Sequence, residues 1–599
     1  MDKNLPALKP YLDSLKQLCS WLSKEDLTEL ILSLAKEVPA KQRNGFLETI
    51  DRLSRERPPL AADEGILEEI EALKEEIGRR IASIEDGSYD EDHYQEYGEY
   101  GRYGRRGSSY YDDYDEGFPD TLSEDQKFQL ESFFQEAADL FLSGQLASAR
   151  EVYAALFRVV EDHYDEDDDV DYSVSDYNLD VEMREARARY YRCVYETTPV
   201  PERVPAMLDA MNLQARLSGS RFDVHENNHP MFCDVMDCRT GELPQRDQFL
   251  PEWRQALRGQ GSDRADMLLL EAVYLMEGLP GVQSLVRTWG ARQPRAWLFW
   301  IWLLVSEDDW PAVAAVGEEA LPVVGDGQFR ALIAEKFLDA GAEISHPDLV
   351  LKGRREVFCS VPGEAPLLQL IEEAERQNLR DAELERALEF VCSRENIEKT
   401  LLVKLLLMTG RIDAAFDKAR KIRALGWSYG EGAGAMLFAA VLSLLCLHRI
   451  EAAVVIRRVL KRYGDSGHAG HAFDGESEQE TEDRAGRGIC SSEEILRGLQ
   501  KASISEEQKH RYLSWALETG RKRIEQIVSN KHRGAYDRAA ETLGALAECY
   551  LLNGKEEKSR SLIDEYRNQK YNRYPAFRRE LDSLIAVSDP LHWKPPGGT

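Results

Sequence analysis

The residues best placed to do chemistry are His225-Glu226-Asn227-Asn228-His229, which match the spacing H-E-x-x-H. On a helix, histidines four residues apart share one face and bind zinc, and the glutamate between them activates a zinc-bound water. That is hydrolase chemistry. Here Pro230 follows directly and biases His229 away from helix, while Asp223, Asn227 and Asn228 give the stretch the composition of a polar loop. No third ligand of the hydrolase type stands out. Cys233 and Cys238 follow closely, so His225, His229, Cys233 and Cys238 together have the donor chemistry of a structural zinc site, without the spacing of a zinc finger.

Other chemical signals are thinner. Asp165, Asp167, Asp169 and Asp171 alternate like calcium ligands, but Val170 stands where the loop needs glycine and Asp176 where it needs a bidentate glutamate. Gly464-Asp465-Ser466-Gly467 has the sequence of a serine-nucleophile turn, yet it sits in a break of a helical chain rather than in a β-barrel. No P-loop or Rossmann glycine fingerprint lies between a strand and a helix. No cofactor is therefore expected, and zinc is the one the sequence leaves open.

The elements that must carry these residues show a sparse recurring pattern: a turn position, an apolar residue two further on, and small or apolar residues about five and nine on. It occurs as Gly144, Leu146, Ala149, Tyr153; as Asp308, Trp310, Val313, Gly317; and as Gly410, Ile412, Ala415, Ala419. Looser copies start at His448 (Ile450, Ala453) and Gly554 (Glu556, Ser559, Ile563). Glycine eases the turn of a helix hairpin, and a small residue lets the second helix lie close to the first. The units resemble tetratricopeptide repeats with irregular separations. The expected fold is all-α: an irregular tetratricopeptide-like helical-repeat array, an α-solenoid, with a small N-terminal helical domain and disordered acidic linkers.

Composition sets further bounds. The 599 residues carry 76 Lys and Arg against 108 Asp and Glu, a formal net charge of -32. Such acidity disfavours general affinity for nucleic acid or anionic membrane and leaves room for a basic protein partner. Met1 to Pro10 has no basic segment ahead of an apolar core, and the longest apolar run, 433–447, is too short to span a bilayer, so a cytoplasmic protein without a membrane partner is expected. That run and 297–305, with Trp300 and Trp302, read as helices packed on several sides. Nine scattered cysteines give no disulfide framework, and reduced thiols are expected.

Composition also marks blocks. Residues 1–86 form an N-terminal helical domain, with Ser23 a cap ahead of Asp26 and Leu67, Ile70, Leu73 and Ile77 an apolar stripe. Residues 87–120, rich in Tyr, Gly and acid, form a flexible linker. A central array covers 121–462, opening with a capping box at Ser123 and Gln126 and interrupted by an acidic insertion near 161–180. A second flexible linker at 463–490 leads to a C-terminal helical unit, 491–588, and a tail, 589–599.

The C-terminal unit is locally basic: Lys501 to Glu580 holds 17 Lys and Arg against 12 Asp and Glu. Arg521, Lys522, Arg523, Lys531 and Arg533 could contact a partner or nucleic-acid phosphates, with Tyr571, Tyr574 and Phe577 near for stacking.

Three stretches carry a wider likeness: Leu27 to Val38; Phe249-Leu250-Pro251-Glu252-Trp253; and Lys531-His532-Arg533-Gly534-Ala535-Tyr536 through Tyr574-Pro575-Ala576-Phe577. They resemble helical regions associated with bacterial SWIM zinc-finger proteins. The finger itself, a C-x-C pair followed by C-x-H, is not in this chain. The resemblance implies an all-helical bacterial protein with an accessory role, and no metal or nucleic-acid residues transfer from it. The function expected is a noncatalytic scaffold or regulatory accessory protein that binds a protein partner. The alternatives are a zinc-dependent hydrolase centred on His225, Glu226 and His229, and a nucleic-acid-associated factor using the basic C-terminal unit.

Overall fold

The computed structural model describes residues 64–85, 122–161, 179–211, 213, 229–394, 397–421, 432–465, 489–588 and 591. The helices expected before residue 64, with the Ser23 cap, lie outside the described residues. So do the 87–120 linker, the insertion from 162 to 178 with its alternating aspartates, residues 466–488, and the tail apart from Leu591. Among the described residues every regular element is a helix. None of these helices is long and apolar enough to cross a membrane. The described residues fall into two compact units, divided between Thr288 and Trp289.

The first unit begins with α1 (Glu64–Glu85), whose stripe of Ile70, Leu73 and Ile77 is buried against α2 (Glu124–Leu142) and α3 (Leu146–Glu161). Ser123 starts α2 with the expected capping box: Gln126 N donates to Ser123 Oγ at 3.2 Å, and Ser123 N donates to Gln126 Oε1 at 3.0 Å. Helix α4 (Met183–Thr197) packs on α3, and α5 (Arg203–Ala210), α6 (Phe232–Asp237) and α7 (Arg246–Leu257) follow. Helix α8 (Asp263–Trp289) bends at Gly278, two residues ahead of Pro280. Tyr195, Phe232, Phe249 and Trp253 stack into an aromatic core, with neighbouring ring centroids 4.9 to 5.5 Å apart along the chain of contacts through Phe249.

The second unit is a succession of helix hairpins. It contains α9 (Pro294–Ser306) with α10 (Trp310–Ala320), α11 (Gln328–Glu343) with α12 (Pro347–Ser360), α13 (Glu364–Arg376) with α14 (Arg380–Cys392), and α15 (Lys399–Met408) with α16 (Ile412–Ala419). Next come α17 (Ala433–Leu445), α18 (Val454–Gly464), α19 (Ser491–Lys501), α20 (Glu506–Ser529), α21 (Tyr536–Leu552), α22 (Glu556–Asp564) and α23 (Pro575–Val587). Every residue of α17 is buried, as its apolar run predicts. Helix α9 buries Trp297 and Trp300 but leaves Trp302 exposed.

Across both units the hairpin turns share one device. Gly144, Asp308, Gly410 and Gly554 all take left-handed φ, between 55° and 85°. At each, the turn residue and its successor donate to the carbonyls three and five residues behind them, satisfying the helix end. Gly410 N donates to Leu407 O at 3.1 Å and Arg411 N to Leu406 O at 2.7 Å. Ser345, Asn378 and Lys531 close three further hairpins the same way. From Asp308 to Gly410 the turns recur at steps of roughly 32 to 37 residues, the length of one helix pair. His448 does not follow suit: it lies in the 3-10 stretch Leu447–Ala452, its Nε2 3.3 Å from Leu552 O, and Ala453 caps α18 instead.

Candidate functional site

His229, Cys233 and Cys238 are described, while His225 and Glu226 lie outside the described residues. The short helix α6 places Cys233 and Cys238 in different surroundings. Cys238 is 4 % exposed and its thiol donates to Val235 O at 3.4 Å and Ala188 O at 3.7 Å, which makes it part of the contact between α6 and α4. Cys233 sits at the other end of α6, over Glu271 of α8. Among the described residues, no three or more His, Cys, Asp and Glu side chains are grouped to hold a metal ion.

Buried charges, rather than the cysteines, organise this region. The two carboxylate oxygens of Glu271 accept from Phe232 N at 2.7 Å and Cys233 N at 2.6 Å, capping the first turn of α6. Burial pushes the Glu271 carboxyl up to about 7, against the opposing pull of the Cys233 thiol and these N–H groups. At the other end of α6, the buried Arg192 guanidinium donates to Val235 O, Met236 O and Gly241 O at 3.1 to 3.4 Å, and pairs with Glu196. Arg264 donates to Met211 O at 3.1 Å and Pro230 O at 3.4 Å, pinning the strand of chain that carries His229. Burial pushes the His229 imidazole down to about 3, and the nearby Arg264 and Arg187 act in the same direction. A neutral imidazole and a reluctant carboxylate result, the carboxylate being the cap of α6.

The sequence pattern missed Glu271, Arg192 and Arg264. Glu271 had a signal: it is a single acid inside the apolar run Leu268-Leu269-Leu270-Glu271-Ala272-Val273, where an unpartnered carboxylate would be costly.

The five basic residues of the C-terminal unit are not brought together as one cationic face. Arg521 pairs with Glu565 at 3.3 Å and Lys522 with Glu518 at 2.7 Å. Arg523 is buried beside Tyr463, and burial lowers its pKa. Lys531 holds a left-handed turn and is exposed, as is Arg533. Tyr571 and Phe577 are buried core residues, 5.8 Å apart between ring centroids, and Tyr574 packs edge-on to Tyr571 at 5.3 Å.

The second unit also holds a cleft of about 370 Å³ between α18 and the start of α19. Arg457, Arg458 and Lys461 line its α18 wall, Cys490, Ser492 and Glu493 its α19 wall, and Val454, Leu460 and Leu496 supply apolar surface. Asp465, from the Gly464-Asp465-Ser466-Gly467 sequence, ends α18 and accepts from Ser492 N at 2.8 Å and Ser492 Oγ at 2.9 Å. Ser466 and Gly467 lie outside the described residues. Burial raises the Cys490 thiol, and Asp465 and Glu493 add to the shift, which keeps the thiol protonated. No family model and no curated protein matches this chain.

Proposed function

We propose that the protein is a noncatalytic helical-repeat scaffold that binds a protein partner on the hairpins from α9 to α14. A concentration of exposed apolar side chains supports this reading. Trp302, Val323, Ile344, Val361 and Leu379 are 36 to 44 % exposed, and all five belong to three consecutive hairpins or the turns that join them. Single exposed apolar residues need no explanation, but five between residues 302 and 379 put apolar side chains along one run of hairpins, where a partner can cover them. Trp302 has the size and rigidity of an interface anchor, and Phe299 supports it at 6.4 Å between ring centroids.

The test is isolation of the tagged full-length protein from its native host, with parallel isolation of Trp302→Ala and Leu379→Ser variants. A near-stoichiometric protein that is lost from the variants supports the reading. A partner retained equally by all three, or a solitary wild-type protein, sinks it.

A further inference from the structure

We propose that Cys446 and Cys549 are a redox pair that hydrogen peroxide converts to a disulfide, locking the end of α17 to α21. Cys446 ends α17 and Cys549 lies in the last turn of α21; they are 0 % and 1 % exposed, and both thiols are free. The two thiols hydrogen-bond each other, and that bond, together with burial, holds the Cys446 thiol above its ordinary range. The Asn553 side-chain nitrogen bridges them, 3.7 Å from Cys446 Sγ and 3.8 Å from Cys549 Sγ. Two sulfurs from elements about 100 residues apart in the chain thus share one small site.

A disulfide needs the sulfurs to close to about 2 Å. Cys549 is fixed in α21, but Cys446 leads into the irregular 3-10 stretch Leu447–Ala452, where Arg449 departs from helix at φ -139°, so the chain can yield on that side. Asn553 Nδ2 also donates to Cys549 O at 2.8 Å and Leu445 O at 3.3 Å, and it keeps both acceptors when the thiols are consumed. His448, Asn553 and Gly554 beside the pair are exposed, so local opening of this turn admits a molecule as small as peroxide. Peroxide oxidises one thiol to a sulfenic acid and releases water. The second sulfur attacks the first, the S–S bond forms, and its proton leaves with the hydroxyl as a second water. One peroxide is reduced to two waters and two thiols are oxidised. Burial and the raised pKa make the first step slow, and the adjacent thiol ends the sequence at the disulfide rather than at sulfinic acid. The pair is separate from the hairpins assigned to a protein partner and does not depend on that reading.

The experiment treats the native full-length protein with hydrogen peroxide, unfolds it, blocks the remaining thiols with iodoacetamide and maps the peptides by mass spectrometry. The exposed Cys392 is the internal control for oxidation. A cross-link between Cys446 and Cys549 that dithiothreitol reverses is expected, and closing a loop of that length should raise Tm by at least about 3 °C. The rise should vanish in Cys446→Ala and in Cys549→Ala. The peptide map needs only the wild type, so it decides the assignment if a variant does not fold. Recovery of both cysteines alkylated while Cys392 is oxidised, sulfinic acid at either without a cross-link, or a cross-link that leaves Tm unchanged overturns the proposal.

Discussion

Gly498 lies so close to Leu407 that a Cβ at residue 498 would stand 2.1 Å from the Leu407 carbonyl oxygen, and 2.5 Å from that of Met408. Helix α19 therefore crosses the last turn of α15 backbone to backbone, over the Leu407 carbonyl that also accepts from Gly410 N. Gly410 faces it from the turn: its φ is 76°, and a Cβ there would come within 3.0 Å of the Gly498 carbonyl oxygen. Gly498→Ala should cost about 3 kcal/mol or more, because backbone rather than a flexible side chain must move. Gly410→Ala should cost about 1 to 2 kcal/mol from its left-handed φ and the same crossing. Urea denaturation of both single variants and the double measures this. Strict additivity would mean that the two glycines do not serve one contact.

Arg355 on α12 reaches Glu383 on α14 with two bonds, 2.9 and 2.8 Å, tying one hairpin to the next. Glu383 is 1 % exposed, whereas Arg355 is a third exposed, so solvent screens only one side of the pair. Arg355→Met should cost about 2 to 3 kcal/mol, less than for a fully buried pair, since Arg386 still reaches the stranded carboxylate. Adding Glu383→Leu should recover most of that loss. A double variant no more stable than Arg355→Met would show that packing, not the charge, dominates the site.

The same pair explains which hairpins could be read from the chain. Gly144, Asp308, Gly410 and Gly554 announced left-handed turns because glycine and aspartate tolerate that backbone and small or apolar residues follow on schedule. At Asn378 the turn has the same hydrogen bonds, but Arg380 and Glu383 occupy the positions two and five residues on. Arg380 is satisfied by the buried Glu494 of α19 and Glu383 by Arg355, partners 114 and 28 residues away. An apolar template cannot see a buried ion pair whose halves are distant in sequence. Ser345 and Lys531 were hidden for a different reason: neither residue type signals a left-handed turn. At the candidate sites, motif reading found His229, Cys233 and Cys238 but not the arginines and Glu271 that hold them, and it found Asp465 without the cleft that lies beside it.

His229 and Glu271 give the first unit opposite pH responses. The folded His229 is held down at about 3 against 6.5 when unfolded, so its contribution is complete above pH 6.5 and is lost as pH falls toward 3. The folded Glu271 is held up at about 7 against 4.5, so its contribution is complete below pH 4.5 and is lost as pH rises through 7. Between 4.5 and 6.5 the two slopes oppose each other. Each can reach about 1.4 kcal/mol per pH unit. His229→Asn should remove the acid-side loss, and Glu271→Gln should leave stability rising with pH across the middle window. Urea denaturation of each variant and the wild type from about pH 4 to about pH 8 reads the difference in slope. Parallel curves for wild type and variants would discard both assignments.

Glu548 of α21 does for α18 what Glu271 does for α6. It is fully buried, accepts from Ile456 N at 2.9 Å and from the Ser588 hydroxyl at 3.0 Å, and so joins the start of α18 to the end of α23. Burial holds its carboxyl above the ordinary range, while the amides of Ile456, Val455 and Val454 and the Ser588 hydroxyl pull the other way. Glu548→Ala strands those buried donors and should cost about 2 to 4 kcal/mol, whereas Ser588→Ala, which removes one bond, should cost about 1 kcal/mol. The sharper readout is local. Hydrogen exchange at Val454, Val455 and Ile456 should speed up in Glu548→Ala and stay near wild type in Ser588→Ala, because only the carboxylate caps the helix. If those amides keep their protection without Glu548, the start of α18 is held by its packing on α21 and not by the charge beneath it.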